Sequence, residues 1–181
     1  MTKAKKEGFV LWFTGLPCSG KTTVADKVAQ ILKKRSIKTE RLDGDIVRKS
    51  LSSDLGFTKQ DRSENIKRVT FVAKLLSRNG VAVIISFVSP YREIREKARQ
   101  QIDNFMEVFT DCPLKECRRR DVKGMYKLAD ENKIENFTGV SDPYEKPLNP
   151  EITICTHRQT PRESCGKIIK YLEDKGYLGK K

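Results

Sequence analysis

One histidine is all the sequence offers, and its five cysteines are odd in number and include no CxxC pair. Zinc therefore has too few ligands to choose from, and the cysteine usage suits a reducing cytoplasm better than a disulfide framework. No apolar run approaches the roughly 20 residues that a membrane-spanning helix needs. The basic start, Met1-Thr2-Lys3-Ala4-Lys5-Lys6, passes through Glu7-Gly8 directly into an apolar strand. With no separate apolar segment and cleavage site, no signal peptide and no membrane partner are expected. Repeats, low-complexity tracts and linkers are also missing, so residues 1–181 are expected to form one domain, long enough for a real core. The net charge of +13 permits nucleic-acid binding, but lysines and arginines are spread along the chain rather than clustered. A basic surface that attracts small polyanions explains the charge equally well, and composition does not choose between them.

What is present is the string Gly15-Leu16-Pro17-Cys18-Ser19-Gly20-Lys21-Thr22, which matches G-x-x-x-x-G-K-[ST] in full. Phe9 to Phe13 before it is an apolar run of strand length. After it, Val24, Val28, Ile31 and Leu32 recur at helical spacing. A strand, a glycine-rich turn and a helix N-terminus together form an anion cradle. Backbone N–H groups converge on phosphate oxygens, Lys21 reaches the β- and γ-phosphates, and Thr22 can hold magnesium. The expected donor site is thus Gly15, Leu16, Pro17, Cys18, Ser19, Gly20, Lys21, Thr22 and Thr23, with ATP as co-substrate. Cys18, beside Lys21 at a helix N-terminus, sits where a thiol can be reactive, although a small loop residue without a role is the plainer reading.

Further along, Lys38 to Leu42 reads as a second strand ending in Asp43-Gly44-Asp45, followed by one or two helical turns within Ile46–Leu51. A helix is expected from about Asp61 to Asn79, capped by Thr58 or Asp61 and stopped at Asn79-Gly80. Val81 to Ile85 is a continuous apolar run, suited to a parallel strand buried on both faces. A helix over Tyr91–Ile102, a strand over Phe105–Phe109 and a short helix over Leu114–Arg120 follow. Val122 to Pro150 is polar, punctuated by glycine and proline and poor in apolar period. Ile152–Cys155 is a fifth strand, and Pro161–Lys175 a closing helix; Lys180-Lys181 is expected to be solvated and unordered. Cys112, Cys117, Cys155 and Cys165 read as small apolar fillers, and His157 as a loop residue. Strands alternating with helices imply an α/β, P-loop NTPase fold: a five-stranded parallel sheet with helices on both faces and the nucleotide at the strand C-termini.

The kind of P-loop protein is narrowed by two further absences. A switch GTPase needs N-K-x-D, and Asn132-Lys133-Ile134-Glu135 lacks the aspartate. A motor would show an apolar strand ending in an acid, whereas the strand over 81–85 runs out into Ser86. Asp43 and Asp45 are the nearest acids. At the end of the second strand, such an acid can hold magnesium-bound water or take a proton from an acceptor hydroxyl, as in small kinases.

Six blocks then occur in one order: Asp43-Gly44-Asp45-Ile46-Val47-Arg48, Asp54-Leu55-Gly56-Phe57, Asp61-Arg62-Ser63-Glu64-Asn65-Ile66, Phe87-Val88-Ser89-Pro90-Tyr91-Arg92, Arg120-Asp121-Val122-Lys123-Gly124-Met125-Tyr126-Lys127, and Asn136-Phe137-Thr138-Gly139 with Asp142-Pro143-Tyr144-Glu145. In this series the chain resembles the adenylylsulfate kinase family over nearly its whole length. The resemblance implies transfer of the ATP γ-phosphoryl group to the 3′-hydroxyl of adenosine 5′-phosphosulfate. It places Asp43 near magnesium and that hydroxyl, so that Thr22 and Asp43 are the metal candidates, with Asp45 alongside on the substrate side. Arg48 and Arg62 would grip the phosphosulfate as charge-assisted forks, helped by Asn65, and Phe57 and Phe137 would sandwich the acceptor adenine. Arg120 would lie against the donor adenine. A homodimer is usual in the family, and a separate ATP sulfurylase is a candidate functional partner. Nucleic acid is not.

The resemblance also makes Ser89 a phosphoserine position. As an obligatory nucleophile Ser89 lacks a base, since His157 lies in a distant segment, and in-line transfer needs only positioning and charge neutralisation. Its hydroxyl or backbone is expected to contact acceptor or phosphate. Residues from about 122 to 145 fit a mobile lid that brings Lys127 to the phosphates. Where the family usually reads G-L-Y-K-K-A-R, this chain has Gly124-Met125-Tyr126-Lys127-Leu128-Ala129-Asp130. Charge near the transferring phosphoryl group is therefore expected to be weaker. The rival readings are a same-fold kinase for another small nucleotide, a basic nucleic-acid-binding P-loop protein, and a regulatory subunit that binds ATP without turnover.

Overall fold

Among the described residues five short strands form one sheet, in the order β2-β3-β1-β4-β5 and all parallel. The computed structural model describes residues 8–179. The basic N-terminal residues through Lys6 and the Lys180-Lys181 end lie outside the described residues. The strands are β1 (Phe9–Thr14), β2 (Thr39–Asp43), β3 (Ala82–Ser86), β4 (Phe105–Asp111) and β5 (Ile152–Cys155). The helices are α1 (Lys21–Lys34), α2 (Gly44–Arg48), α3 (Lys59–Ser77), α4 (Arg92–Gln101), α5 (Leu114–Arg120), α6 (Met125–Asp130) and α7 (Pro161–Asp174).

The apolar runs of β1 and β3 are explained by cores on both faces of the sheet. Leu11, Phe13 and Ile84 point to one face, where Val28 and Leu32 of α1 and Ile168 and Leu172 of α7 cover them. Val10, Trp12, Val83 and Ile85 point to the other, against Ile66, Val69 and Ala73 of α3 and Ala98 of α4. Alternate side chains on a strand face opposite ways, so a strand covered on both sides shows no polar alternation. Each fully buried large side chain among these contributes roughly 1.5–3 kcal/mol. A third, smaller cluster of Cys112, Cys117, Tyr126, Ala129 and Phe137 lies under α5 and α6. β2 is polar because it is an edge strand and only partly buried.

Two helix starts are fixed by reciprocal capping. Thr58 accepts the N–H of Asp61 while Asp61 accepts that of Thr58, so α3 begins at Lys59, earlier than the expected Asp61. Thr160 and Glu163 do the same for α7, with Pro161 in the first turn. The one element missing from the sequence reading is α6, which falls inside the stretch judged to lack apolar period. Its six residues make fewer than two turns, too few to display one.

Register brings the chemistry together. Phe13 and Asp43 both pair with Ser86, so β1, β2 and β3 finish level with one another. β1 lies between β3 and β4, so the chain leaves it toward either edge, and the crevice at the strand C-termini opens there.

Candidate active site

The turn from β1 into α1 is built for close approach. A Cβ on Gly15 would lie 2.6 Å from the Thr110 carbonyl oxygen and 2.9 Å from Ser19 Oγ, so only glycine fits. Lys21, 8% exposed, folds back so that its Nζ donates to the carbonyls of Gly15 at 2.9 Å and Leu16 at 2.7 Å. Burial lowers its pKa to about 8, with nearby acidic groups opposing the shift. Two backbone oxygens thus hold an ammonium that phosphate oxygens are better suited to hold.

Asp43 closes β2 and caps α2, accepting the Asp45 N–H at 3.0 Å. The hydroxyls of Ser86 at 2.7 Å and Thr22 at 3.0 Å donate to its Oδ2. Arg41 Nη2 stands 3.5 Å from the same oxygen. Burial pushes the carboxyl up, but these hydrogen bonds and the guanidinium outweigh it and leave the pKa below its ordinary value. Asp43 is therefore held ionised next to Thr22 at the start of α1. Asp45 pairs with Lys123 of the 122–145 segment, whose ammonium it favours.

A second group lies across α2 and α3. Arg48 Cζ stands 4.2 Å from the Phe57 ring centroid, and Arg62 Cζ 5.6 Å from it. Arg48 also donates to the Gly56 carbonyl at 2.8 Å. Arg62 donates to the Phe57 carbonyl at 2.9 Å and the Asn136 carbonyl at 2.6 Å, linking the start of α3 to the 136–142 segment. Burial lowers the pKa of both guanidiniums, with Arg62 adding to the effect on Arg48. Phe57 is 54% exposed, whereas Phe137 is buried edge-on against Tyr126, with centroids 5.0 Å apart. Asn65 is buried, and its Oδ1 has no hydrogen-bond partner.

Ser89 is tied into the fold through both its side chain and its backbone. Its hydroxyl accepts the indole N–H of Trp12 at 3.0 Å, its carbonyl accepts from Arg95, and it is 4% exposed with φ 41°. The side chain turns into the fold, where it meets the need of a buried indole N–H for an acceptor.

Arg120 donates to the Thr156 carbonyl at 2.9 Å, and its Nε to Glu116 at 3.0 Å. Hydrogen bonds from Arg119 and Arg120 pull the Glu116 pKa down to about 2, against a smaller opposing effect of burial. Arg120 lines an open groove of about 250 Å³ with Gly20, Thr23, Thr156, Gln159 and Pro161, adjoining the phosphate loop. Lys127 is exposed, with its backbone N–H on Asp121. Asp130, the anion that this stretch carries in place of a cation, ends α6. It pairs with Arg118 at 3.0 Å on the exposed side of α5.

Several contacts escaped the sequence reading. Tyr126 donates to the Pro17 carbonyl at 3.1 Å, joining α6 to the phosphate loop, and Tyr144 shares a 3.0 Å hydrogen bond with Thr14. Both stand as aromatics within a polar stretch, which was the available signal. Lys123 gave none beyond its charge. Among the described residues no group of three or more His, Cys, Asp or Glu could hold a metal ion, and no helix is long and apolar enough to cross a membrane.

The family model for adenylylsulphate kinase matches residues 7–155. A probable adenylyl-sulfate kinase of Pseudomonas aeruginosa is 60% identical over 90% of this chain and 76% of its own length. The adenylyl-sulfate kinase of Halothermothrix orenii is 53% identical over 96% of this chain and 94% of its own. Among solved structures, the Mycobacterium tuberculosis APS kinase in complex with AMPPNP and APS superposes with a TM-score of 0.89. It is 41% identical, covering 92% of this chain and 98% of that one.

Proposed function

The chain belongs to the adenylylsulfate kinase family, and from that premise we propose how its own side chains perform the reaction. The protein is an enzyme that transfers the γ-phosphoryl group of ATP to the 3′-hydroxyl of adenosine 5′-phosphosulfate, giving 3′-phosphoadenylylsulfate and ADP. The observation that carries the assignment of roles is the convergence of Thr22, Asp43 and Ser86 where three strands end level, next to buried Lys21.

Lys21 exchanges its two carbonyl partners for phosphate oxygens, while the backbone N–H groups between Gly15 and Thr23, Pro17 excepted, surround the donor tail. The groove beside Arg120 takes the donor base. Arg48 and Arg62 bind the phosphosulfate, the exposed Phe57 ring stacks on the acceptor adenine, and Phe137 supports the opposite side from its packed position. Asn65 Oδ1, buried without a partner, accepts a hydrogen bond from the acceptor. Asp43 faces the 3′-hydroxyl, orients it for in-line attack and receives its proton. The 122–145 segment is the lid of a single domain and excludes water. Its Lys123–Asp45 contact and the Tyr126 hydroxyl seat it on the donor side, and Lys127 lies on its outer turn.

Magnesium fits the donor set. One hydroxyl and one carboxylate, Thr22 and Asp43, are hard oxygen ligands of the kind that hold this ion together with substrate phosphates. When bound, it neutralises charge on the β- and γ-phosphates. The family reading extends to a homodimer, to a separate ATP sulfurylase that supplies the acceptor, and to a cytoplasmic setting in which five free cysteines stay reduced.

The test is ADP release by the purified protein with ATP, magnesium and adenosine 5′-phosphosulfate, with the product gaining one phosphoryl group by mass. Asp43→Ala is expected to lower kcat by at least about 10²-fold, the lower range for a lost acid–base group. Full turnover in that variant would remove Asp43 from the reaction.

A further inference from the structure

Arg95 has no part in the steps above, yet it occupies the joint between both halves of the site. It lies on α4, 3% exposed, and each nitrogen of its guanidinium donates a hydrogen bond. Nη1 donates to the Ser89 carbonyl at 2.5 Å, Nη2 to the Glu145 carbonyl at 2.7 Å, and Nε to Glu107 Oε1 at 2.6 Å. Its Cζ stands 5.8 Å from the Tyr144 ring, and the Tyr144 hydroxyl meets Thr14 Oγ1 at 3.0 Å, one residue before the phosphate loop. The same Thr14 hydroxyl donates to the Val88 carbonyl at 2.8 Å, leaving its lone pairs for Tyr144. The foot of the lid is fastened to this turn again by the Glu145 N–H on Pro90, the Arg92 N–H on Glu145, and the Tyr91 hydroxyl on Asp142. Ser89 sits at φ 41°, a conformation that persists only when its surroundings hold it.

We propose that Arg95 is a positioning residue for phosphoryl transfer, fixing the Ser89 turn and the C-terminal foot of the lid in one register so that the acceptor side closes in line with the donor. A planar guanidinium reaches two carbonyls and a carboxylate from three separate nitrogens; an ammonium has three donors but on one nitrogen, and does not span the same acceptors. Glu107 orients the fork from behind and is itself braced from outside by Arg99 and Glu151. That outer pair touches neither Ser89 nor Glu145, so it separates a positioning role from bulk stability.

The proposal rests on the kinase reading, and the experiment keeps the two apart. Steady-state kinetics and nucleotide-induced thermal shifts are measured for the parent, Arg95→Lys, Arg99→Met and Tyr144→Phe. Arg95→Lys is expected to raise the acceptor KM at least tenfold, with the ATP KM within twofold and the ATP thermal shift retained. Arg99→Met lowers Tm and leaves the acceptor KM unchanged. Tyr144→Phe, which keeps the ring under the guanidinium but frees Thr14, raises the acceptor KM several-fold and carries the test alone if Arg95→Lys does not fold. An unchanged acceptor KM in folded Arg95→Lys or in Tyr144→Phe, or an equal rise in Arg99→Met, overturns the proposal. Absence of turnover in the parent would instead strike the kinase reading.

Discussion

Lys21 sits in the phosphate loop with its charge disfavoured by burial, and this has a measurable sign. Its folded pKa of about 8 lies below the ordinary 10.5. Between those values the folded protein binds fewer protons than the unfolded chain, so Lys21's own contribution to stability rises with pH across that window. A triphosphate favours the ammonium, so ATP binding near pH 9 should take up protons, and calorimetry in two buffers of different ionisation enthalpy will register it. Zero uptake would mean that Lys21 is fully charged beforehand. Ser89→Ala should retain turnover within a few-fold, because the hydroxyl is committed to Trp12. Loss of that hydrogen bond costs about 1 kcal/mol, or about 2–4 °C in Tm for a chain of this size. A folded variant that binds acceptor and never turns over would restore the nucleophile. At this scale the sequence discloses what is local. Gly15 to Thr22 and Asp43 announce themselves by spacing, whereas Arg95 and Tyr144 act through partners 50 and 130 residues away.

The 122–145 segment is the stretch whose chemistry the sequence half revealed. Its position between α5 and β5 was plain from composition, but α6 was hidden by its shortness and the Asp130–Arg118 pair by its non-local geometry. Because that pair is exposed, it contributes about 0–1 kcal/mol and projects little field into the cleft. Leu128→Lys with Asp130→Arg is therefore expected to leave kcat/KM within about twofold; a tenfold rise would place these positions at the phosphoryl group after all. Gly139 is a more sensitive point. With φ at 91°, an added Cβ would stand 3.0 Å from Leu16 Cδ2 and 3.3 Å from Leu114. Gly139→Ala should lose about 1–2 kcal/mol from the left-handed backbone alone, seen in Tm, and should raise the acceptor KM by loosening the lid against the phosphate loop. The other elements were legible because burial or flanking turn residues write themselves into the pattern. Both-face burial gave β1 and β3 their unbroken apolar runs, and the helix over 114–120 and the strand over 152–155 have the bounds that their patterns implied.

For the molecule as a whole, a net charge of +13 faces two polyanionic substrates. Screening should therefore lower kcat/KM several-fold as ionic strength rises from about 0.05 to 0.5 M, mostly through KM. A flat profile would show that the spread lysines and arginines do not steer either substrate. Topology was legible from the alternation of strands and helices, while the level finish of β1, β2 and β3 was not, since register depends on pairings that no single segment encodes. One detail of that arrangement is of practical use. The chain's one tryptophan, Trp12, is sealed in the core with its indole N–H on the Ser89 turn. The protein thereby contains a native fluorophore fastened to the Ser89 turn, so any shift of that turn on acceptor docking should change its emission without any attached dye.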